Sequence, residues 1–253
     1  MEKPVAIYTD HIMNRTLCYN FAKGADSPMC HINDFKEHNR TIATYGVLRG
    51  TFELTKKVNN FFYMDHGYFN QSKREFKDNR TNVVNMDGHF RIVFNNYIHD
   101  GKGDCPDDRL KKLNLGIVEQ KKSGNYIILS EPSEIMKKIY NQANWVNETK
   151  KILKNYSDRE LIVHNKFSNA KLDYLLKKAW AFVSLQSTAG FKAMVSGVPA
   201  YFTDESLKNV AKIEEIENPR INYKIFNNLA YGQWTLDEIS SGEAWESISK
   251  QLY

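Results

Sequence analysis

The 253-residue sequence has no apolar run approaching the length of a membrane span and no basic-then-apolar segment at its N-terminus. Its composition therefore points to a cytoplasmic protein with no membrane partner. Cysteine is sparse: Cys18, Cys30 and Cys105 are scattered and odd in number. That pattern argues against a disulfide framework and a zinc site, and for reduced thiols. There is no internal repeat and no low-complexity tract. The acidic stretch Asp100–Asp108 lacks the ligand spacing of a calcium-binding EF-hand loop and reads as a solvated loop. No metal-ligand set is expected.

What is present is ordinary for a soluble globular protein, with 42% hydrophobic and 26% charged residues. The length allows one large or two small domains. A formal net charge of +5 admits a polyanionic partner such as DNA. One basic cluster stands out: Lys73, Arg74, Lys77 and Arg80, set among Phe69 and Phe76 and diluted by Glu75 and Asp78.

Short apolar runs alternate with helical patterns. Val5–Tyr8, Met29–Ile32, Ala43–Tyr45, Phe61–Met64 and Arg91–Phe94 read as strands, with helices after the first and third. A second series begins at Asn125–Leu129 and continues through Glu160–His164, Trp180–Leu185 and Ala200–Phe202. Such alternation implies parallel sheets with right-handed crossovers, an α/β class. Thr235 is a good N-cap for a final helix, broken near Gly242. The expected division is residues 1–119, residues 120–234 and a C-terminal helix at residues 235–253.

The richest segment runs from Ser184 to Phe202: strand, small polar turn, helix, Gly-Pro turn, strand. Ser187 and Thr188 sit where the helix begins, and a helix N-terminus suits a phosphate. Ligands of open α/β sheets bind beyond the carboxyl ends of strands. Ser130 and Ser133, His164 and Lys166, and Gln186 with Ser187 and Thr188 all follow strand ends, so they are candidates for one crevice. The plainer role of His164 is a strand-end histidine bonded to backbone, and that of Ser187 and Thr188 is a helix cap.

The stretch Ser187-Thr-Ala-Gly-Phe-Lys-Ala-Met-Val-Ser-Gly-Val-Pro199 resembles the donor-site motif of GT-B glycosyltransferases, most nearly those of the capsule-polysaccharide and Kdo type. The likeness covers about Glu160 to Thr203. Lys192 stands where those enzymes usually carry Glu, and Glu205 could substitute for it. The segments Tyr63–Tyr68 and Leu229–Trp245 look similar to phage-encoded members, some of which glucosylate hydroxymethylated bases in their own DNA.

The resemblance implies two Rossmann-like parallel-sheet domains facing a central cleft, with the C-terminal helix packing back on the first. It also implies an inverting, metal-independent transfer from a nucleotide-sugar, UDP-sugar favoured, with no obligatory cofactor. No DxD metal signature lies at a suitable strand end, in agreement with that expectation. The donor would meet Ser133, His164, Lys166, Gln186, Ser187, Thr188 and Glu205. A carboxylate or imidazole must take the acceptor proton. Asp65 beside His66 is the preferred candidate, and Asp10 with His11, equally placed after the first strand, is the alternative. His11, Tyr68, Lys73, Arg74 and Arg91 are candidate acceptor contacts.

The preferred acceptor is a hydroxymethylpyrimidine in double-stranded phage DNA. A saccharide or glycan acceptor is the alternative, and a non-catalytic nucleotide- or DNA-binding protein is a second. The sequence sets no oligomeric state.

Overall fold

The computed structural model describes residues 3–71, 74–77, 81–84, 86–208 and 210–251, the stretches 74–77 and 81–84 by backbone alone. The chain forms two compact units. One comprises Met1–His99 with Leu229–Tyr253, the other Asp100–Asn228. The second unit holds the 100–119 stretch, which the sequence pattern had placed with the first. Asn228 accounts for this: its buried amide accepts from the Cys105 N–H and donates to the carbonyls of Gly101 and Gly103.

In the first unit, β1 (Val5–Tyr8), α1 (Ile12–Ala25), β2 (Met29–His31), β3 (Ile42–Tyr45), α2 (Thr51–Thr55) and β4 (Phe61–His66) follow in order. A hairpin of β5 (Arg74–Lys77) and β6 (Thr81–Val84) precedes β7 (His89–Phe94). The sheet order is β2-β1-β3-β4-β7, with β12 (Gln233–Thr235) outermost beside β7. The strands from β2 to β4 are parallel, while β7 runs antiparallel to β4 and β12 antiparallel to β7. No helix joins β4 to β7 among the described residues, so no crossover exists to make that pair parallel.

α1 packs its apolar stripe, Met13, Leu17, Cys18, Phe21 and Ala25, on this sheet. The chain then returns to the same core. Thr235 caps α9 (Leu236–Ser241) in a capping box with Glu238, and α10 (Glu243–Gln251) follows Gly242. Trp245 of α10 meets Phe21 and Phe62 edge-on, with ring centroids 5.9 and 5.5 Å away. Thus the C-terminal helix does pack on the N-terminal sheet unit.

The second unit contains α3 (Asp108–Lys112), β8 (Tyr126–Ser130), α4 (Glu134–Ile139), α5 (Trp145–Leu153), β9 (Glu160–His164) and α6 (Leu172–Leu176). It continues through β10 (Ala179–Ser184), α7 (Thr188–Val195), β11 (Ala200–Phe202) and α8 (Lys224–Ala230). Its four strands are all parallel, in the order β9-β8-β10-β11. One face packs Trp145 and Leu153 of α5 against Ile127, Leu129, Val183 and Tyr201. On the other, Phe191 of α7 lies 5.2 Å from Phe202.

Numbered within each unit, the first four strands share one order: second, first, third, fourth. The α/β expectation with Rossmann-like sheets is borne out, and the antiparallel pair β7 and β12 is an addition to it.

Candidate functional site

A strand order of second-first-third opens a crevice between the carboxyl ends of the first and third strands, because their crossovers leave in opposite directions. Each unit has a pocket at that place.

In the first unit the pocket lies beyond β1 and β3 and has a volume of about 290 Å³. Asn14 forms its floor. This buried amide accepts from the Thr9 N–H at 2.7 Å and donates to the Tyr45 carbonyl at 2.8 Å, joining the two strand ends across the switch point. The Gly46–Gly50 turn forms a wall, pinned by Thr51, whose hydroxyl lies 2.8 Å from the Gly46 carbonyl and 2.7 Å from that of Leu48. Arg49 in that turn is exposed, and His11, the N-cap residue of α1, lines the opposite side. His66 enters from β4, with Nε2 3.3 Å from the Tyr45 hydroxyl.

Asp65 is not the free turn carboxylate expected after a strand; it lies within β4, paired in register with Arg91 of β7. Its Oδ2 accepts from the Tyr63 hydroxyl at 2.7 Å and from Arg91 Nη2 at 3.0 Å, and its Oδ1 accepts from the His66 N–H at 2.8 Å. Arg91 also donates to the carbonyls of His66, at 2.6 Å, and Tyr97, at 3.2 Å. Burial works against the Arg91 charge, but Asp65 and the neighbouring tyrosine oxygens outweigh it, so its pKa is held above the usual guanidinium value. Burial, with Asp65 beside it, pushes the Tyr63 hydroxyl well up.

The remaining first-unit candidates are separated by this geometry. Arg91 and Tyr68 are buried, with Tyr68 accepting from the His99 N–H at 2.8 Å. Both were expected as acceptor contacts. Arg91 on β7 lies across from Asp65 on β4, where the guanidinium meets Asp65 and the carbonyls of His66 and Tyr97. Asp10 is almost fully exposed, points to His31 at 3.5 Å, and does not line the pocket. Lys73 lies outside the described residues, as does the side chain of Arg74.

In the second unit the last registered row of the sheet reads Phe202, Ser184, Ser130, His164 across the strands. Beyond it lies a pocket of about 550 Å³, adjoined by a smaller one of about 220 Å³. Ser133 caps α4 through the Met136 N–H, and Ser187 caps α7 through the Ala189 N–H. Both serines line both pockets. His164 and Lys166 line the larger one, and Gln186, held by the Tyr140 hydroxyl at 2.8 Å, lines the smaller. Ile135, Phe167 and Leu172 supply apolar wall. Glu131 closes the network, bonded to Lys137 at 2.6 Å and Asn165 at 3.1 Å, which pull its carboxyl below the usual range.

The fold thus gathers Ser133, His164, Lys166, Gln186 and Ser187 at one edge, while Thr188 opens α7 beside them. Glu205 is not gathered: it sits exposed on a short turn, ion-paired with Lys208. Lys192 lines neither pocket and pairs with Asp173 at 2.7 Å. Sequence reasoning missed Asn14, Tyr45 and Glu131. The signal for Asn14 was a lone amide on the apolar stripe of α1, one turn before Leu17 and Cys18. Among the described residues no cluster of three His, Cys, Asp or Glu could hold a metal, and no helix is long and apolar enough to cross a membrane.

Two doubly wound α/β units, each with a polar pocket at its switch point, define the class of this protein. No protein-family model matches the chain, and no curated protein matches it by sequence. Among solved structures it is similar to Thermosulfurimonas dismutans KpsC, titled a beta Kdo 2,4 transferase, at 10% identity over 92% of this chain and 90% of that one, with a TM-score of 0.46. It is also similar to a KpsC beta Kdo 2,7 transferase from the same organism, at 9% identity over 98% and 99%, with a TM-score of 0.46.

Proposed function

We propose that this chain is a glycosyltransferase of GT-B type that moves a sugar from a nucleotide-sugar to a saccharide hydroxyl. The observation that carries this reading is the second unit's pocket edge. There a strand-end row, the Ser187-capped start of α7 and the cation of Lys166 surround one cavity next to an apolar wall. A nucleoside diphosphate needs this combination: N–H groups and positive charge for the phosphates, apolar surface for the base. The sequence motif from Ser187 to Pro199 supports the same reading. We assign the donor to this pocket, with a UDP-sugar favoured, and the acceptor to the polar pocket of the first unit.

The saccharide is preferred as acceptor because Thr9, His11, Tyr45 and His66 present hydrogen-bonding groups around a small cavity, suited to a hydroxylated ring. The hydroxymethylpyrimidine reading rests on the Lys73–Arg80 cluster, whose side chains lie outside the described residues.

In this mechanism the protein does three things. The α7 N–H groups and Lys166 take up charge as the nucleotide leaves. The Ser133 and Ser187 hydroxyls, each already accepting a backbone N–H, keep a proton to donate to phosphate oxygens. The first unit holds the acceptor hydroxyl and receives its proton.

A donor screen tests the proposal: UDP-, CMP- and GDP-sugars are each incubated with the protein and with mono- and oligosaccharides, hydroxymethylated duplex DNA or plain DNA. Mass analysis of the products is expected to show one donor and a saccharide product. A product only on hydroxymethylated DNA would replace the saccharide acceptor. If no nucleotide-sugar binds or raises the melting temperature, the transferase reading fails.

A further inference from the structure

The first unit holds an ion pair, its arginine buried and its aspartate half-buried, that the proposed reaction does not use directly. Asp65 and Arg91 grip the backbone of one residue from both sides. Asp65 Oδ1 accepts the His66 N–H at 2.8 Å, and Arg91 Nη1 donates to the His66 carbonyl at 2.6 Å. The pair is closed on itself by the 3.0 Å contact between Arg91 Nη2 and Asp65 Oδ2. It is braced by the Tyr63 hydroxyl on Asp65 and by the Tyr97 carbonyl on Arg91. The guanidinium also lies over the rings of Tyr63 and Tyr68, 5.6 and 5.8 Å from their centroids. At the other end, the His66 ring lies 6.2 Å from Phe90 in a stacked geometry, with its Nε2 beside the Tyr45 hydroxyl at the pocket.

A strand needs no such clamp to hold its register, because the ladder between β4 and β7 already does so. The clamp holds one residue at the pocket rim, the place where a side chain must be fixed to work. Asp65 also lines the pocket, but its Oδ2 is taken by the Tyr63 hydroxyl and Arg91 and its Oδ1 by the His66 N–H.

We infer that Asp65 and Arg91 are positioning residues that present the His66 imidazole to the acceptor, and that His66, not Asp65, is the catalytic residue of this pocket. The inference rests on the transferase reading for its chemistry. In the step, the acceptor O–H proton passes to a ring nitrogen of His66 while the acceptor oxygen bonds to the anomeric carbon. The bond from that carbon to the phosphate oxygen breaks, and its electron pair leaves with the nucleotide. The titratable and charged groups around His66 are Tyr45 on β3, Asp65 on β4, Arg91 on β7, His11 at the start of α1 and Arg49 in the Gly46–Gly50 turn.

The test combines imidazole ¹⁵N–¹H spectra with the pH profile of transfer. His66→Gln identifies the His66 ring signals by their loss. It is also expected to remove the limb of the profile that reports the catalytic base. Asp65→Asn keeps an oxygen for the His66 N–H but discharges the pair. We expect the His66 ring signals to shift or broaden and kcat to fall by about a hundredfold, as for a misplaced reacting group. The acceptor KM should stay within about twofold. Arg91→Lys, which keeps the charge but cannot reach both Asp65 and the His66 carbonyl, repeats the test should Asp65→Asn fail to fold.

Unmoved ring signals in a folded Asp65→Asn or Arg91→Lys protein would overturn the clamp. Wild-type kcat in His66→Gln would overturn the role of His66. If the wild-type protein transfers no sugar at all, the transferase reading fails, and the ring signals still decide whether the pair positions His66.

Discussion

Asn14 offers the sharpest test of how the first unit builds its pocket. The substitution is Asn14→Leu, close in volume and apolar. It removes the acceptor of the Thr9 N–H, 2.7 Å away, and the donor to the Tyr45 carbonyl, 2.8 Å away. Thr9 and Asn14 are each 3% exposed and Tyr45 8%, so water does not readily replace the lost partner. A buried backbone group left without a partner costs about 1–3 kcal/mol, and here there are two. The leucine recovers about 1 kcal/mol by adding apolar surface to the α1 stripe. The net expectation is a loss of about 1–5 kcal/mol, or roughly 2–20 °C in Tm. Urea unfolding followed by tryptophan fluorescence measures it, since Trp234 and Trp245 report on the first unit. Asn14→Asp, which keeps the acceptor for Thr9 but loses the donor to Tyr45, should fall between Leu and the wild type. A loss below about 1 kcal/mol for Asn14→Leu would mean that relaxation or water satisfies both strand ends, and would refute the amide as the clasp of the switch point.

Three further outcomes follow from the same geometry. Gly24→Ala should destabilise by about 1–3 kcal/mol in urea melts, against the gain of about 1 kcal/mol usual for Gly→Ala in a helix. A Cβ there would overlap the Ile239 carbonyl and come within 2.9 Å of the Gly242 N, where α1 meets the end of α9. A more stable variant would show that the helices part easily. Burial pushes the Cys18 thiol up to about 12, so at pH 8 iodoacetamide should spare it in the native protein and label it only with denaturant, as read by peptide mass analysis. Lys137 and then Asn165 depress the Glu131 carboxyl, so the stability it contributes is present above the unfolded value near 4.3 and is lost as pH falls through the lower folded value. Glu131→Gln should therefore be less stable than the wild type at pH 7, with the gap in Tm closing below about pH 4; a constant gap from pH 7 to 3 would contradict this sign.

The edge of the second unit's pocket was legible because its signals are local. Ser187 before a helix is a cap whose geometry spans three residues, and it appears as such. The Thr235 capping box and the break at Gly242 were legible for the same reason. The first unit's pocket was read less well. The Phe61–Met64 run continues through Asp65 and His66 because β7 pairs with that extension, and the sequence of β4 holds no sign of its partner. Glu205 was a plausible substitute by position in the chain, yet its turn carries it to an exposed pair with Lys208. A helix was expected after the third strand, and the turn pinned by Thr51 confines it to Thr51–Thr55.

Alternating apolar strands and capped helices determined by themselves that this chain is α/β, because hydrophobic period and cap chemistry act over a few residues. The same local chemistry placed a phosphate-suited helix start at Ser187. Only the tertiary structure decided what Asp65 does. A carboxylate's role depends on which charge lies across the sheet from it, and Arg91, 26 residues away, becomes its neighbour only when β7 docks on β4. The tertiary structure likewise turned Asn14 from a blemish in an apolar stripe into the clasp of two strand ends. It did so because Tyr45, the other end of that clasp, lies 31 residues further along the chain.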